Sequence, residues 1–300
     1  MEKYEELKDK EIKDGEILRN IRKARKLTQI DLASGIVTSQ TVSAFEKGDS
    51  EPNYKAFCAM VKNAGSTLEE FEYEMNGFEL SEFWSVLEEA RLLYYENDIL
   101  GLEQLLVEEE AKDDSPKYIQ NFSCLMIKVM ISRINPQITL THDEKEKIIK
   151  YLYNTTHWGY FELTLFNNTV EVFDSSTLAS LSEELIANSV YYNGIPTNRL
   201  FMILTAINAM SRLVYYDEFA AATKLKQAVE ELVEYDDILY KTMLLFNIGM
   251  LELSMGKDIE NAKQKMRDAI QVFKLTDSLV LAEKYQNAYD KAVKELESQS

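Results

Sequence analysis

An all-α chain in two parts is predicted by three observations. Ten glycines and four prolines make up under 5% of the 300 residues, against roughly 12% in average chains. Such scarcity of turn-formers disfavours all-β and loop-rich architectures. From about Glu79 almost to the end, apolar residues recur at helical spacing. That stretch also matches itself at a period near 40 residues. The expected organisation is a small helical domain at 1–75, a linker at 76–81 and a helical-repeat domain at 82–300.

In the first domain, residues 15–26 place Ile17, Ile21 and Ala24 on one stripe of a helix, with Arg19, Arg22, Lys23 and Lys26 on the remaining surface. Thr28 is the expected N-cap of a second short helix, with Asp31 three residues on as its capping acid. Leu32 and Ala33 give that helix its buried side, and Ser34-Gly35 ends it. Thr38 or Ser39 caps a third helix running to Lys47 and closed by Gly48. Val42 and Phe45 face inward there, while Gln40, Thr41 and Ser43 face outward. Ser66-Thr67-Leu68-Glu69 reads as a capping box opening a closing helix to about Met75.

Two short helices around a tight turn make a helix-turn-helix, whose second helix enters the DNA major groove. Gln reads adenine bidentately, and Ser and Thr hydroxyls reach base edges or phosphates. The charge agrees. Residues 13–47 carry seven Lys/Arg against four Asp/Glu, a net +3 in a chain of −18, so the rest stands at −21. A basic module on a DNA-repelling body is the pattern of a nucleic-acid reader.

These residues resemble the Xre/Cro-type helix-turn-helix family: Ile21-Arg22, Arg25, Thr28-Gln29, Leu32-Ala33, Thr41-Val42-Ser43-x-Phe45-Glu46-x-Gly48, Pro52, Gly65-Ser66 and Phe71. The stretch between Ala33 and Ser43 is one residue shorter than the usual pattern. The resemblance implies that Gln29, Thr38, Ser39, Gln40 and Ser43 meet DNA and that Arg22 and Arg25 face phosphate. It implies that Glu46 pairs with the first-helix arginine.

In the second domain, breaks near Lys112–Pro116, Asn135–Asp143, Thr156–Gly159, Asp174–Thr177, Asn193–Asn198, Tyr215–Glu218, Tyr235–Asp237, Gly256–Asp258 and Thr276–Asp277 leave segments of roughly 12–20 residues, typical of helices. Ala221-x-x-x-Leu225-x-x-Ala228-Val229-x-x-Leu232 matches Ala262-x-x-x-Met266-x-x-Ala269-Ile270-x-x-Phe273 at an offset of 41. Small residues at such positions let neighbouring helices approach, as in tetratricopeptide units. Helix pairs of this kind bury their apolar faces by stacking into a solenoid.

A second echo ends each time in asparagine: Leu163-Thr-Leu-Phe166-Asn167, Leu204-Thr-Ala-Ile207-Asn208 and Met243-Leu-Leu-Phe246-Asn247. Asn is a poor helix-interior residue. Its amide both donates and accepts, so a row of them either grips an extended peptide backbone or ties helix to helix. Both readings are open at this level. Arg212 and Arg199, with Lys128, are sparse cations that could meet a peptide carboxylate.

Helix-turn-helix plus tetratricopeptide-like repeats resembles the Rgg/GadR/MutR regulators, within the peptide-sensing Rap/Npr/PlcR/PrgX-type group. Trp158-x-x-Phe-Glu-Leu-x-Leu-Phe166-x-Asn168 and the repeated Asn carry the resemblance in the second domain. It implies a homodimer reading double-stranded promoter DNA and a short signalling peptide held by Asn167, Asn168, Asn208, Arg212 and Asn247. The alternatives are a regulator answering another ligand or a protein partner, and an interaction scaffold.

No enzyme is expected. His142 and His157 are isolated, Cys58 and Cys124 make neither a disulfide framework nor a zinc site, and no phosphate-cradling glycine loop occurs. Neither cofactor nor metal is expected. With no 18-residue apolar run and no basic, apolar leader, the expected location is the cytoplasm, without membrane contact.

Overall fold

In the computed structural model, residues 13–112 and 116–299 are described, so the expected break at Lys112–Pro116 lies partly outside them. Among the described residues there are sixteen α-helices and no strand. They fall into two compact units, residues 1–96 and 97–300.

The first unit contains α1 (Asp14–Ala24), α2 (Gln29–Ala33), α3 (Ser39–Lys47), α4 (Tyr54–Asn63), α5 (Leu68–Met75) and α6 (Glu82–Tyr95). Local chemistry sets its boundaries. The Thr28 hydroxyl accepts from Asp31 N at 3.2 Å, and the Asp31 carboxylate accepts from Thr28 N at 2.6 Å. Thr38, rather than Ser39, caps α3, accepting from Thr41 N. Gly48 closes α3 at φ 74°, a left-handed value that glycine adopts without strain. The box opening α5 is Thr67 with Glu70, one residue later than expected, and Ser66 adds its own hydroxyl bond to Glu70.

The core of this unit gathers Ile17, Leu18, Ile21, Leu32, Val42, Phe45, Met60 and Phe71. Ala24, expected on the inward stripe of α1, is exposed, and Leu18 takes the buried place. Position 24 is the last residue of a helix that ends two residues early, at the turn where Lys26 takes φ 58°. Gly15 lies against α3 so closely that a Cβ would stand 1.9 Å from the Phe45 carbonyl oxygen. Only glycine permits that approach.

The second unit begins with α7 (Ile99–Ala111), after a break at Glu96–Asp98 that apolar spacing missed. There Asn97 adopts φ 57° and Asp98 caps α7. Then follow α8 (Lys117–Ile134), α9 (His142–Asn154), α10 (Tyr160–Thr169), α11 (Ser175–Asn188), α12 (Pro196–Tyr215), α13 (Phe219–Leu232), α14 (Ile238–Ser254), α15 (Ile259–Leu275) and α16 (Leu279–Gln299).

Packing sorts these helices into two layers. In one, α8, α10, α12, α14 and α16 each pack on the next. In the other, α9, α11 and α13 do the same, and α12–α13 and α14–α15 form tight antiparallel pairs. The first layer is the inner one: α8 is buried along most of its length, whereas α9 buries only Ile148 and Leu152. This is the stacked-pair arrangement of a helical solenoid. Ala262, Met266, Ala269, Ile270 and Phe273 of α15 are buried, and Gly249 of α14 sits where a Cβ would meet the Ala262 carbonyl at 2.7 Å. The matching Ala221 and Ala228 of α13 are only half-buried, with Ala222 buried instead. No helix among the described residues is long and apolar enough to cross a membrane.

Candidate functional site

In the first unit, α3 presents its N-terminal half outward because Val42 and Phe45 anchor its other side in the core. Gln40 is exposed, and Ser39 and Ser43 are half-buried around it. The Thr38 hydroxyl, already the cap, lies 3.0 Å from the Thr41 hydroxyl. Polar side chains able to read base edges thus cluster at a helix N-terminus, where backbone N–H groups and the helix dipole favour a phosphate.

Behind this surface lies a built ion pair. Glu46 accepts from Arg22 Nε at 2.5 Å and from Arg22 Nη2 at 2.8 Å, and Arg22 Nη1 donates to the Leu27 carbonyl at 2.9 Å. The two side chains are 11% and 2% exposed. The pairing implied for Glu46 is therefore present, and it occupies the guanidinium expected to face phosphate. Gln29 Nε2 also donates to Glu46, at 2.9 Å, which fixes the carboxamide and leaves its oxygen as an acceptor. Burial pushes the Glu46 carboxyl up, but the bonds from Arg22 and Gln29 outweigh it and hold it below the usual carboxylate range. Arg25 is exposed, 3.9 Å from Glu70, and is the freer of the two arginines.

In the second unit the structure brings Asn167 of α10 and Asn208 of α12 together, Asn208 Nδ2 donating to Asn167 Oδ1 at 2.8 Å. Both are half-buried. This bond uses one donor and one acceptor, leaving the Asn167 N–H groups, the second Asn208 N–H and the Asn208 carbonyl oxygen for other partners. Asn247 differs. It is 4% exposed and donates to Met243 O in its own helix at 2.9 Å. The Tyr285 ring of α16 packs 4.6 Å from Phe246, the residue before it. Asn168 likewise donates its side-chain amide back to Thr164 O, while its backbone carbonyl accepts from Arg133.

Arg212, one turn beyond Asn208, lies over the rings of Tyr215 and Tyr216 at 4.8 and 4.6 Å and donates to the Tyr216 hydroxyl. Arg199 and Lys128 are engaged elsewhere. Arg199 binds Asp237 and the Leu232 carbonyl, and Lys128 pairs with Glu144 and Glu110. Sequence reading passed over Arg133 and Lys145, which line a cleft with Arg212. That cleft is assembled from three separate stretches of chain, so no local spacing announces it.

A helix-turn-helix with an outward polar recognition helix, in a chain whose second unit stacks helix pairs, defines a helix-turn-helix transcriptional regulator. Residues 18–71 match the helix-turn-helix family, and residues 103–287, more than half of the chain, match the family described as HTH-type transcriptional regulator Rgg, C-terminal domain. The chain belongs to the Rgg family. The SHP pheromone receptor Rgg2 of Streptococcus dysgalactiae is 25% identical, with a TM-score of 0.80 over 93% of this chain and 99% of that one. A putative transcriptional regulator from Listeria monocytogenes EGD-e is 20% identical, with a TM-score of 0.80 over 96% and 99%. ComR from S. thermophilus, in complex with DNA and its signalling peptide ComS, is 11% identical, with a TM-score of 0.63 over 93% and 99%.

Proposed function

We propose that this regulator binds promoter DNA as a cytoplasmic, non-enzymatic homodimer and that a short signalling peptide held by its helical repeats alters that binding. In this reading residues 1–75 are the DNA-binding module, 76–81 the linker and 82–300 the peptide-binding and dimerisation module. The observation that carries it is the Asn167–Asn208 pair. On two adjoining inner helices, the bonded amides keep N–H donors and a carbonyl acceptor in reserve, the groups that a peptide unit of extended backbone pairs with. Receptors of similar fold, Rgg2 and ComR, are described as pheromone- or peptide-binding, which supports the same role here.

In the DNA-binding module, Gln29, Thr38, Ser39, Gln40 and Ser43 supply the reading surface and Arg25 contacts phosphate, while Arg22 acts through Glu46 by holding Gln29. Asn247 and Asn168 serve the peptide site indirectly, by fixing the local helix surface. A peptide changes DNA occupancy only by preferring one conformation of the receptor. A preference of about 2–3 kcal/mol changes affinity tens-fold.

Fluorescence anisotropy tests this, with DNA flanking the protein's own gene against scrambled DNA across a salt series. Selective binding that weakens steeply with salt is expected. Fractionated spent culture medium should then shift the affinity of the wild type but not of Asn167→Ala or Asn208→Ala, whose DNA binding stays intact. Unselective binding, or variants that still respond, overturns the reading.

A further inference from the structure

The cleft beside the paired asparagines has a volume of about 480 Å³. It lies where α8 and α12 end, roofed by the segments that follow α8 and α10. Three cations line it, Arg133, Lys145 and Arg212, against the two carboxylates of Glu171 and Asp174.

The two carboxylates are already engaged. Glu171 accepts from Arg133 Nε at 3.0 Å, and Asp174 accepts from Thr177 N and the Ser176 hydroxyl as the cap of α11. Lys145 is drawn to the Asp174 carboxylate, so the positive charge that is left centres on Arg212. Arg212 is held ready for a partner. Its guanidinium lies over two tyrosine rings, one of its nitrogens is bonded to Tyr216, and Tyr216 is itself fixed by a 3.0 Å bond to the Phe173 carbonyl. Yet Arg212 Nε is buried with no hydrogen-bond partner among the described residues. An unsatisfied charged donor costs free energy, and because this nitrogen is itself sealed from solvent an acceptor reaches Arg212 through the part of its side chain that lines the cleft.

The rest of the lining is mixed, with Leu140, Val172 and Phe173 beside the cations. One residual unit of positive charge suits a monoanion better than a phosphate dianion facing two carboxylates. Apolar walls suit an aliphatic group next to that anion. Arg212 follows Asn208 by four residues on the same helix, so the two side chains share a face one turn apart.

We propose that this cleft captures the free α-carboxylate of a peptide whose last residue is apolar, with Arg212 binding the carboxylate, Lys145 assisting and Asn167–Asn208 holding the preceding backbone. The proposal rests on the peptide reading above and adds a direction to it: the peptide lies with its carboxyl end at the ends of α8 and α12.

Titration calorimetry of the full chain tests it with four probes: acetyl-Ala-Ala-Ala-Leu, N-acetyl-leucine, N-acetyl-leucinamide and inorganic phosphate. N-acetyl-leucine should bind at least tenfold more tightly than its amide or phosphate, and the tetrapeptide more tightly still. Arg212→Gln and Arg212→Lys should each weaken both carboxylates at least fivefold. Should Arg212 variants misfold by circular dichroism, Lys145→Gln gives the same comparison. An amide that binds as well as the acid overturns the carboxylate assignment. Phosphate binding as tightly overturns the apolar-monoanion assignment, and a tetrapeptide no better than N-acetyl-leucine overturns the peptide end in favour of a small free acid. Carboxylate binding that behaves as expected, in a protein whose DNA affinity ignores spent medium, supports the cleft while refuting the peptide switch.

Discussion

Replacing Glu46 by Gln should loosen the DNA-reading unit far more than a surface charge change would. Glu46 is nearly sealed from solvent and takes three hydrogen bonds, two from Arg22 and one from Gln29. Removing one charge of a buried pair strands the other, at about 3–5 kcal/mol. Arg22 keeps its bond to the Leu27 carbonyl, which places the expected loss near the lower figure, about 3 kcal/mol. That corresponds to roughly a hundredfold increase in opening, since each 1.4 kcal/mol is tenfold. Native-state hydrogen exchange on peptides from α1 and α3 reads it locally, even while the second unit stays folded. The double variant Arg22→Met/Glu46→Leu, which removes both charges, should recover to within about 1 kcal/mol of wild type, because buried pairs are replaceable by apolar groups of similar size. Exchange in Glu46→Gln that matches wild type would refute the argument. So would a double variant worse than either single one.

Three further outcomes are expected. Gly15→Ala forces a Cβ against the Phe45 carbonyl and should destabilise the first unit by about 3 kcal/mol, the upper range of overpacking, read as a lower melting temperature, whereas an unchanged melt would mean α1 and α3 separate freely. Acid should loosen the same unit: Glu46 has a folded value lowered from 4.5, so its stabilisation is full above about pH 4.5 and lost as pH falls through the lowered value. Exchange measured across that window should show a slope that Glu46→Gln lacks. Gln40→Ala should relax preference at one base pair by about 1–3 kcal/mol in competition binding, while Arg25→Ala weakens all sequences alike and flattens the salt slope.

Much of the fold was legible because its signals are local. Thr28 with Asp31 and Gly48 announce helix ends from within four residues. Where the reading slipped, tertiary packing decided. Apolar spacing alone made Ala24 as good a core residue as Leu18, and only the early end of α1 separates them. The three recurring asparagines look equivalent in sequence but are not equivalent in the fold. Asn167 and Asn208 face each other across two helices, whereas Asn247 is buried and bonded back to its own helix. Arg212 was picked out as one of three sparse cations, with Arg199 and Lys128. Its partners in the cleft come from α8, α9 and the turn after α10, a meeting that no spacing encodes.

The stacking of the inner helices has a mechanical side. Each of α10, α12 and α14 rests on the inner helix before it and supports the one after it, so the junctions act like springs coupled in series. In such a chain the energy of a deformation is divided among the junctions while their displacements add. A ligand bridging only the α10–α12 junction therefore carries its shift at that junction undiminished to every helix stacked beyond it. The same arithmetic makes the junction sensitive: a loosened contact anywhere along the row adds compliance to the whole of it.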